Sequence, residues 1–176
     1  RNKEVVASQY EEEIFKLQNF LRNAKNITEK EVEIIKNVIK EGLEWFENIT
    51  IADDIKLSIE TYQNKIDEML NKTKEIVQRG TEHSMKRVML QKIKKSIKML
   101  DESLTIGKVN STLQDDLLST VEETEKWVSE IENKIDSVLS KEIQAKREKL
   151  KEKVIPLKKD MHSILKKVKK DDEEKQ

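Results

Sequence analysis

The sequence predicts an all-α fold of about six helices in two consecutive three-helix-bundle units, residues 1–79 and 80–176, related by an internal repeat. Apolar residues recur at alternating intervals of four and three along most of the chain, which places them on one face of a helix. The 176 residues include only three glycines and one proline, too few to mark the turns of a sheet. Charged residues make up 40% and aromatic residues 4% of the composition, which is typical of long two-faced helices rather than of a compact enzyme.

Three helices are predicted in the first unit. The first runs from the start of the chain to about Asn23, and the second begins after Thr28, because Thr28-Glu29-Lys30-Glu31 has the pattern of a capping box. Gly42, inside the second helix, is expected to allow close packing of helices. The third helix covers about residues 53–79. The predicted apolar stripes are Val6, Tyr10, Ile14, Leu17 and Leu21, then Val32, Ile35, Ile39, Leu43 and Phe46, then Ile55, Ile59, Tyr62, Ile66, Met69, Thr73 and Ile76.

The second unit is predicted to start at Gly80, which can end a helix or serve as a hinge because glycine adopts positive φ without a steric cost. Only Gly80 separates the third and fourth predicted helices, so one continuous or bent rod is the alternative. The later elements are predicted as a helix at 82–102, an irregular segment at 104–112, a helix at 113–134 and a helix from Ser140 onward with a charged C-terminal tail. Pro156 lies inside the last helix and is expected to kink it, because proline removes one backbone hydrogen bond.

Two tryptophans suggest that one helical module occurs twice. Trp45 and Trp127 each close a helix and are 82 residues apart, and the stripes that follow them start at Ile55 and Ile143, 88 residues apart. The spacings of 82 and 88 residues predict a repeat in which the connection of the second copy is six residues longer. The residues expected in the structural core are Trp45, Trp127, Tyr62 and Leu150.

Several kinds of chemistry are not indicated by the sequence. Basic and acidic residues number 35 each, so nucleic-acid binding, which favours a basic excess, is not expected. No apolar run approaches the roughly 20 residues that span a bilayer, so no membrane partner is expected. The chain has no cysteine, and neither His83 nor His162 has a second ligand at metal-binding spacing. Without a phosphate-binding loop or a nucleophile elbow, we expect no catalytic residue, no cofactor and no enzymatic activity in this segment.

Four Asn-x-Ser/Thr sequons are present, and those at Asn26, Asn48 and Asn110 fall at predicted helix breaks or in the irregular segment. These three asparagines are candidate glycosylation sites in a secretory compartment. Helix capping by Thr or Asn explains the same residues equally directly.

Three features of residues 1–79 resemble the C-terminal helical lid of the seventy-kilodalton heat-shock chaperones. The opening Arg1-Asn2-Lys3-Glu4 followed by Tyr10 is similar to the start of the first lid helix. The segments Thr28–Glu31 and Gly42–Asn48 resemble the acidic start and the Glu-Trp end of the next helix, and Ile59–Leu70 resembles the final lid helix. The family usually has Asn-Pro in that final helix; the first unit departs from it, whereas the second has Pro156.

A second lid-like unit is similar to the large branch of the superfamily, the hundred-and-ten-kilodalton heat-shock proteins and the hundred-and-seventy-kilodalton glucose-regulated, hypoxia up-regulated proteins. The stretch Leu139–Lys146 resembles one in the latter, endoplasmic-reticulum group. The resemblance implies a fragment of a chaperone in the reticulum lumen, with the cytoplasm as the alternative. It also implies ATP binding in an absent N-terminal domain, unfolded client polypeptides as partners, and support for nucleotide exchange on an ordinary chaperone of the seventy-kilodalton family.

The alternative function is a passive helical scaffold or spacer that binds no client. A chaperone segment is expected to leave apolar surface that the bundles do not bury, whereas a scaffold is expected to use every apolar position in its core. The residues expected to provide such surface are Phe15, Phe20, Ile51, Leu57, Met99, Leu104, Ile106 and Val109.

Overall fold

A computed structural model describes residues 2–107, 109 and 111–175 of the chain, with the side chains at 160–165, 167 and 168 outside that description. The described residues are helical and contain no strand, so the predicted all-α class is confirmed. The chain divides into two compact units, Arg1–Ser84 and Met85–Gln176. The helices are α1 (Lys3–Asn23), α2 (Glu29–Glu47), α3 (Ile51–Lys56), α4 (Ile59–Ile106), α5 (Ser111–Ile131), a 3₁₀ helix (Glu132–Ser137) and α6 (Ser140–Glu174).

Local capping sets the ends of the first two helices. Helix α1 ends at Asn23 as predicted, and Asn2 caps its start by accepting from the backbone N–H of Glu4. The predicted capping box of α2 is present, with the Thr28 hydroxyl accepting from Glu31 N–H and the Glu31 carboxylate accepting from Thr28 N–H. That backbone hydrogen bond and the guanidinium of Arg79 lower the pKa of Glu31.

The third predicted helix is wrong at both ends. Residues 51–56 form the separate short helix α3, capped by Thr50, and the chain is extended at Leu57 before α4 begins. Gly80 does not end α4, which continues to Ile106. The physical reason lies in packing, since a Cβ built on Gly80 would stand 2.6 Å from Cζ of the Phe20 ring. Gly80 therefore makes room for Phe20 within a continuous helix.

The core of the first unit comes from the predicted stripes of α1, α2 and the first part of α4. Its buried apolar residues are Val6, Tyr10, Ile14, Leu17, Ile35, Val38, Ile39, Tyr62, Ile66, Met69 and Ile76. Gly42 is buried, and a Cβ on it would lie 3.1 Å from the Tyr10 hydroxyl oxygen, so this glycine allows the close approach expected of it.

The second unit packs the later part of α4 against α5 and α6. Its buried core includes Leu90, Ile93, Leu100, Leu117 and Ile143. Two predicted boundaries differ: α4 continues through 104–106, and α5 ends at Ile131, where the 3₁₀ helix follows with a non-helical residue at Lys134. Helix α6 begins at Ser140 as predicted and continues through Pro156.

Replacing Gly80 by alanine is expected to lower the free energy of unfolding by about 1 kcal/mol. Overpacking against Phe20 costs about 1–3 kcal/mol, and the better helix propensity of alanine returns part of that. Urea denaturation measures the change. In a Phe20→Leu background the same substitution is expected to be neutral or stabilising. A loss that persists in that background would show that Phe20 is not the cause.

Candidate interaction surface

The four residues expected in the core occupy two kinds of position. Tyr62 and Leu150 are buried, each 2% exposed. Trp45 and Trp127 are half-buried at the edges of the two cores. A lysine covers part of each indole, with Lys65 Nζ 5.3 Å from the ring centroid of Trp45 and Lys146 Nζ 5.6 Å from that of Trp127.

An aromatic cluster joins α1, α2 and α4 in the first unit. The Tyr10 ring lies 5.2 Å from Trp45 in an edge-on arrangement and stacks on Phe46 at 5.6 Å, and Trp45 meets Tyr62 edge-on at 5.6 Å. The Tyr10 hydroxyl donates to the Gly42 carbonyl at 2.9 Å. Burial, with a smaller contribution from Glu68, raises the pKa of Tyr10 to about 12. These contacts are structural, and they fix α2 on α1.

Each unit has a small recess among its described residues. The first, of about 60 Å³, is beside Trp45, with Gly42 and Lys65 among its lining residues. The second, of about 70 Å³, is lined mainly by apolar atoms between Met99 on α4 and Leu157 on α6. Ligand pockets usually enclose several hundred Å³, whereas these recesses hold about two water molecules each. Both recesses are therefore much smaller than a usual ligand pocket.

The most solvent-exposed large apolar side chains of the first unit lie on α3. Ile51 is 86% exposed and Ile55 is 76% exposed, and no residue of α3 is buried. The two are four positions apart, so they lie side by side on one helix face. We refer to Ile51 and Ile55 together as the α3 surface. The expected position of Ile55 in the core stripe is therefore wrong.

Contacts from both neighbouring helices hold α3 in place. The Lys3 ammonium of α1 donates to the Asp54 carbonyl, and the Tyr62 hydroxyl of α4 donates to the Asp54 carboxylate at 2.8 Å. The Thr50 hydroxyl caps the helix by accepting from Asp53 N–H at 3.1 Å. Burial, and after it Asp54, raises the pKa of Tyr62 to about 12. The exposed isoleucines thus stand on an anchored helix rather than on a loose loop.

Five of the eight residues expected to supply exposed apolar surface are instead packed against the cores. Phe15, Ile51 and Ile106 are exposed as expected. The other five are partly buried against one core or the other, namely Phe20, Leu57, Met99, Leu104 and Val109. Sequence reasoning missed Ile55, although Thr50 and Asp53 at N-cap spacing gave a signal that a new helix starts at Ile51.

Two of the candidate glycosylation sites can be placed. Asn26 is exposed at a positive φ of 66°, and Asn48 is exposed at the C-terminal end of α2. The threonines of both sequons cap the next helix, Thr28 for α2 and Thr50 for α3. Asn110 lies outside the described residues. Glycosylation of these residues stays a prediction.

The described residues show neither a metal-binding cluster nor a membrane-spanning helix. There, no group of three or more His, Cys, Asp or Glu side chains is placed to hold a metal ion. His83 is buried, and the His162 side chain is outside the description. Within the same residues, no helix has the length and apolar character needed to cross a membrane.

Comparison with known proteins gives no relative from which a role could be transferred. No protein-family model, curated protein or solved structure matches this chain.

Proposed function

We propose that this chain is the C-terminal helical region of a large heat-shock-protein-70-type chaperone, and that its α3 surface contacts apolar segments of unfolded polypeptide. Support comes from the lid-like sequence features at Thr28–Glu31 and Gly42–Asn48 and from the exposure of Ile51 and Ile55. In this proposal ATP binds an absent N-terminal domain, an ordinary seventy-kilodalton chaperone is a second partner, and the compartment is the reticulum lumen.

The exposure of Ile51 and Ile55 is the observation that carries the proposal. Two isoleucines that are more than three-quarters exposed on one face of an anchored helix lower solubility, and a passive spacer gains nothing from them. Burying both side chains is worth about 3–5 kcal/mol, which corresponds to a dissociation constant of about 1 mM before the cost of association. The surface alone therefore supports weak, reversible contact. It gains strength when another domain holds the same polypeptide nearby.

The expected result of a direct test is selective perturbation of the α3 methyl groups. In a sample with labelled isoleucine methyls, a reduced and carboxymethylated protein that stays unfolded is titrated to millimolar concentration. The resonances of Ile51 and Ile55 are expected to shift, while the buried Ile143 does not. The folded, disulfide-intact form of the same protein is the matched control and is expected to cause no shift.

The variant Ile51→Asn/Ile55→Ser supplies the second half of this test. It is expected to remove the interaction and to leave the thermal midpoint within about 2 °C, because exposed substitutions change stability little. Unchanged methyl resonances in the native chain at millimolar polypeptide would instead favour the passive scaffold.

A further inference from the structure

Most buried positions of the two units follow one register; the exceptions in the first core are the buried Val38 and Ile66, which correspond to the half-buried Thr120 and Arg147. In α1, Val6, Tyr10, Ile14 and Leu17 are buried, and the residues 83 positions later in α4 are buried too, namely Met89, Ile93, Ile97 and Leu100. The buried Ile35, Ile39 and Gly42 of α2 correspond in the same way, at an offset of 82, to Leu117, Val121 and Thr124 of α5. At an offset of 81, Tyr62, Met69, Thr73 and Ile76 correspond to Ile143, Leu150, Val154 and Leu157.

Periodic burial alone does not fix such a register, because an amphipathic helix can be shifted by one turn and still match. Contacts outside the cores remove that ambiguity. Lys3 donates to the carbonyl of Asp54, and Lys86 donates to the carbonyl of Asp136 at 3.3 Å, with the lysines 83 and the aspartates 82 positions apart. In both units, a lysine of the first helix thus holds the short helix that follows the second helix.

The tryptophan–lysine contacts give the same register independently. Trp45 and Trp127 are 82 positions apart, and the lysines above their rings, Lys65 and Lys146, are 81 positions apart. The offset therefore falls by one at each of the two connections, from 83 to 82 to 81. In this register Ile143 corresponds to Tyr62 and not to Ile55, so the second connection is one residue shorter and not six residues longer as expected from the sequence. The two kinds of side-chain contact and the buried residues of all three helix pairs give the same offsets.

We infer that the two units are copies of one three-helix module, and that the α3 surface is a feature of the first copy alone. In the 82-residue register, Ile51 corresponds to Asn133 and Ile55 to Ser137, and both of these polar residues are exposed. The second copy shows that the module does not need apolar residues at these positions. The use of the surface for polypeptide binding rests on the proposed function; the duplication does not.

At one pair of equivalent buried positions, the two copies differ in residue size in opposite directions. In the first copy the large Tyr10 lies against Gly42, where a Cβ would be 3.1 Å from the tyrosine oxygen. In the second copy the equivalent residues are the smaller Ile93 and the larger Thr124, both buried. If the modules are equivalent, isoleucine at position 10 and threonine at position 42 fit the first module together, whereas either substitution alone does not fit.

A double-mutant cycle tests the duplication without any client. The midpoint of thermal unfolding is followed by Trp45 fluorescence in a Trp127→Phe background. Tyr10→Ile and Gly42→Thr are each expected to lower it by about 5–10 °C, and the double variant by clearly less than the sum. If a single variant does not fold and the double variant does, that outcome shows the same coupling between the two positions. A double variant that is additive, worse or unfolded overturns the equivalence of the two pairs.

Controls for this cycle come from the same chain. Tyr10→Ile combined with Gly80→Ala is expected to be additive, because Gly80 faces Phe20 instead of Tyr10. The mirror cycle, Ile93→Tyr with Thr124→Gly in a Trp45→Phe background, is expected to show coupling of the same sign. Coupling in the control pair, or none in the mirror cycle, would count against the duplication.

Removal of the surface tests the second part of the inference. In the Ile51→Asn/Ile55→Ser chain, which leaves the second copy unchanged, no isoleucine methyl resonance is expected to shift with unfolded polypeptide. Shifts that remain at isoleucines of the second copy overturn the restriction of the surface to the first copy. If the native chain shows no methyl shift with unfolded polypeptide, the proposed function is wrong. The double-mutant cycle tests the duplication independently of that result.

Discussion

Replacing Tyr10 by alanine is expected to lower the free energy of unfolding by about 4 kcal/mol, the range seen for a large buried aromatic side chain. The ring is only 2% exposed and contacts both Trp45 and Phe46. Alanine leaves a cavity at the junction of α1 and α2 and also leaves the Gly42 carbonyl without the tyrosine hydroxyl that donates to it. Urea denaturation followed by Trp45 fluorescence measures the loss in the first unit.

Two variants separate the causes of that loss. Tyr10→Phe keeps the ring and removes only the hydrogen bond to Gly42, so we expect it to cost about 1 kcal/mol. Phe15→Ala removes an aromatic ring of similar size from the same helix, but Phe15 is 56% exposed and the expected cost is below about 1 kcal/mol. A Tyr10→Ala cost as small as that of Phe15→Ala would show that the aromatic cluster does not hold the unit together.

Helix ends that depend on neighbouring residues could be predicted from the sequence. The capping box at Thr28 is made by side chains within one turn. The end of α1 at Asn23 and the start of α6 at Ser140 also lie at the predicted residues, although no side chain caps α6. The apolar spacing also identified most buried positions, because a helix face repeats with a fixed period. These features need no knowledge of the partner helix.

Features that depend on distant contacts could not be predicted. Gly80 has the local preference of a helix end, yet the space it leaves is filled by Phe20, 60 residues away in the sequence, and α4 continues. Ile55 matches the period of the stripe in α4, but the extended residue Leu57 separates them and turns Ile55 out to solvent. A period carries no information across a break, so the spacing predicts a buried Ile55, whereas Ile51 is expected to be exposed and is.

The sharpest test of the second core compares two adjacent leucines of α5. Leu117 is 1% exposed, and its truncation to alanine is expected to lower the free energy of unfolding by about 3 kcal/mol, through lost burial and the cavity that remains. Leu118 is 46% exposed, so Leu118→Ala is expected to cost less than about 1 kcal/mol. The two variants have the same composition and nearly the same helix propensity. The difference between their losses in free energy of unfolding therefore measures the effect of burial. Urea denaturation followed by Trp127 fluorescence measures both, and equal costs would mean that α5 packs in another rotation about its axis.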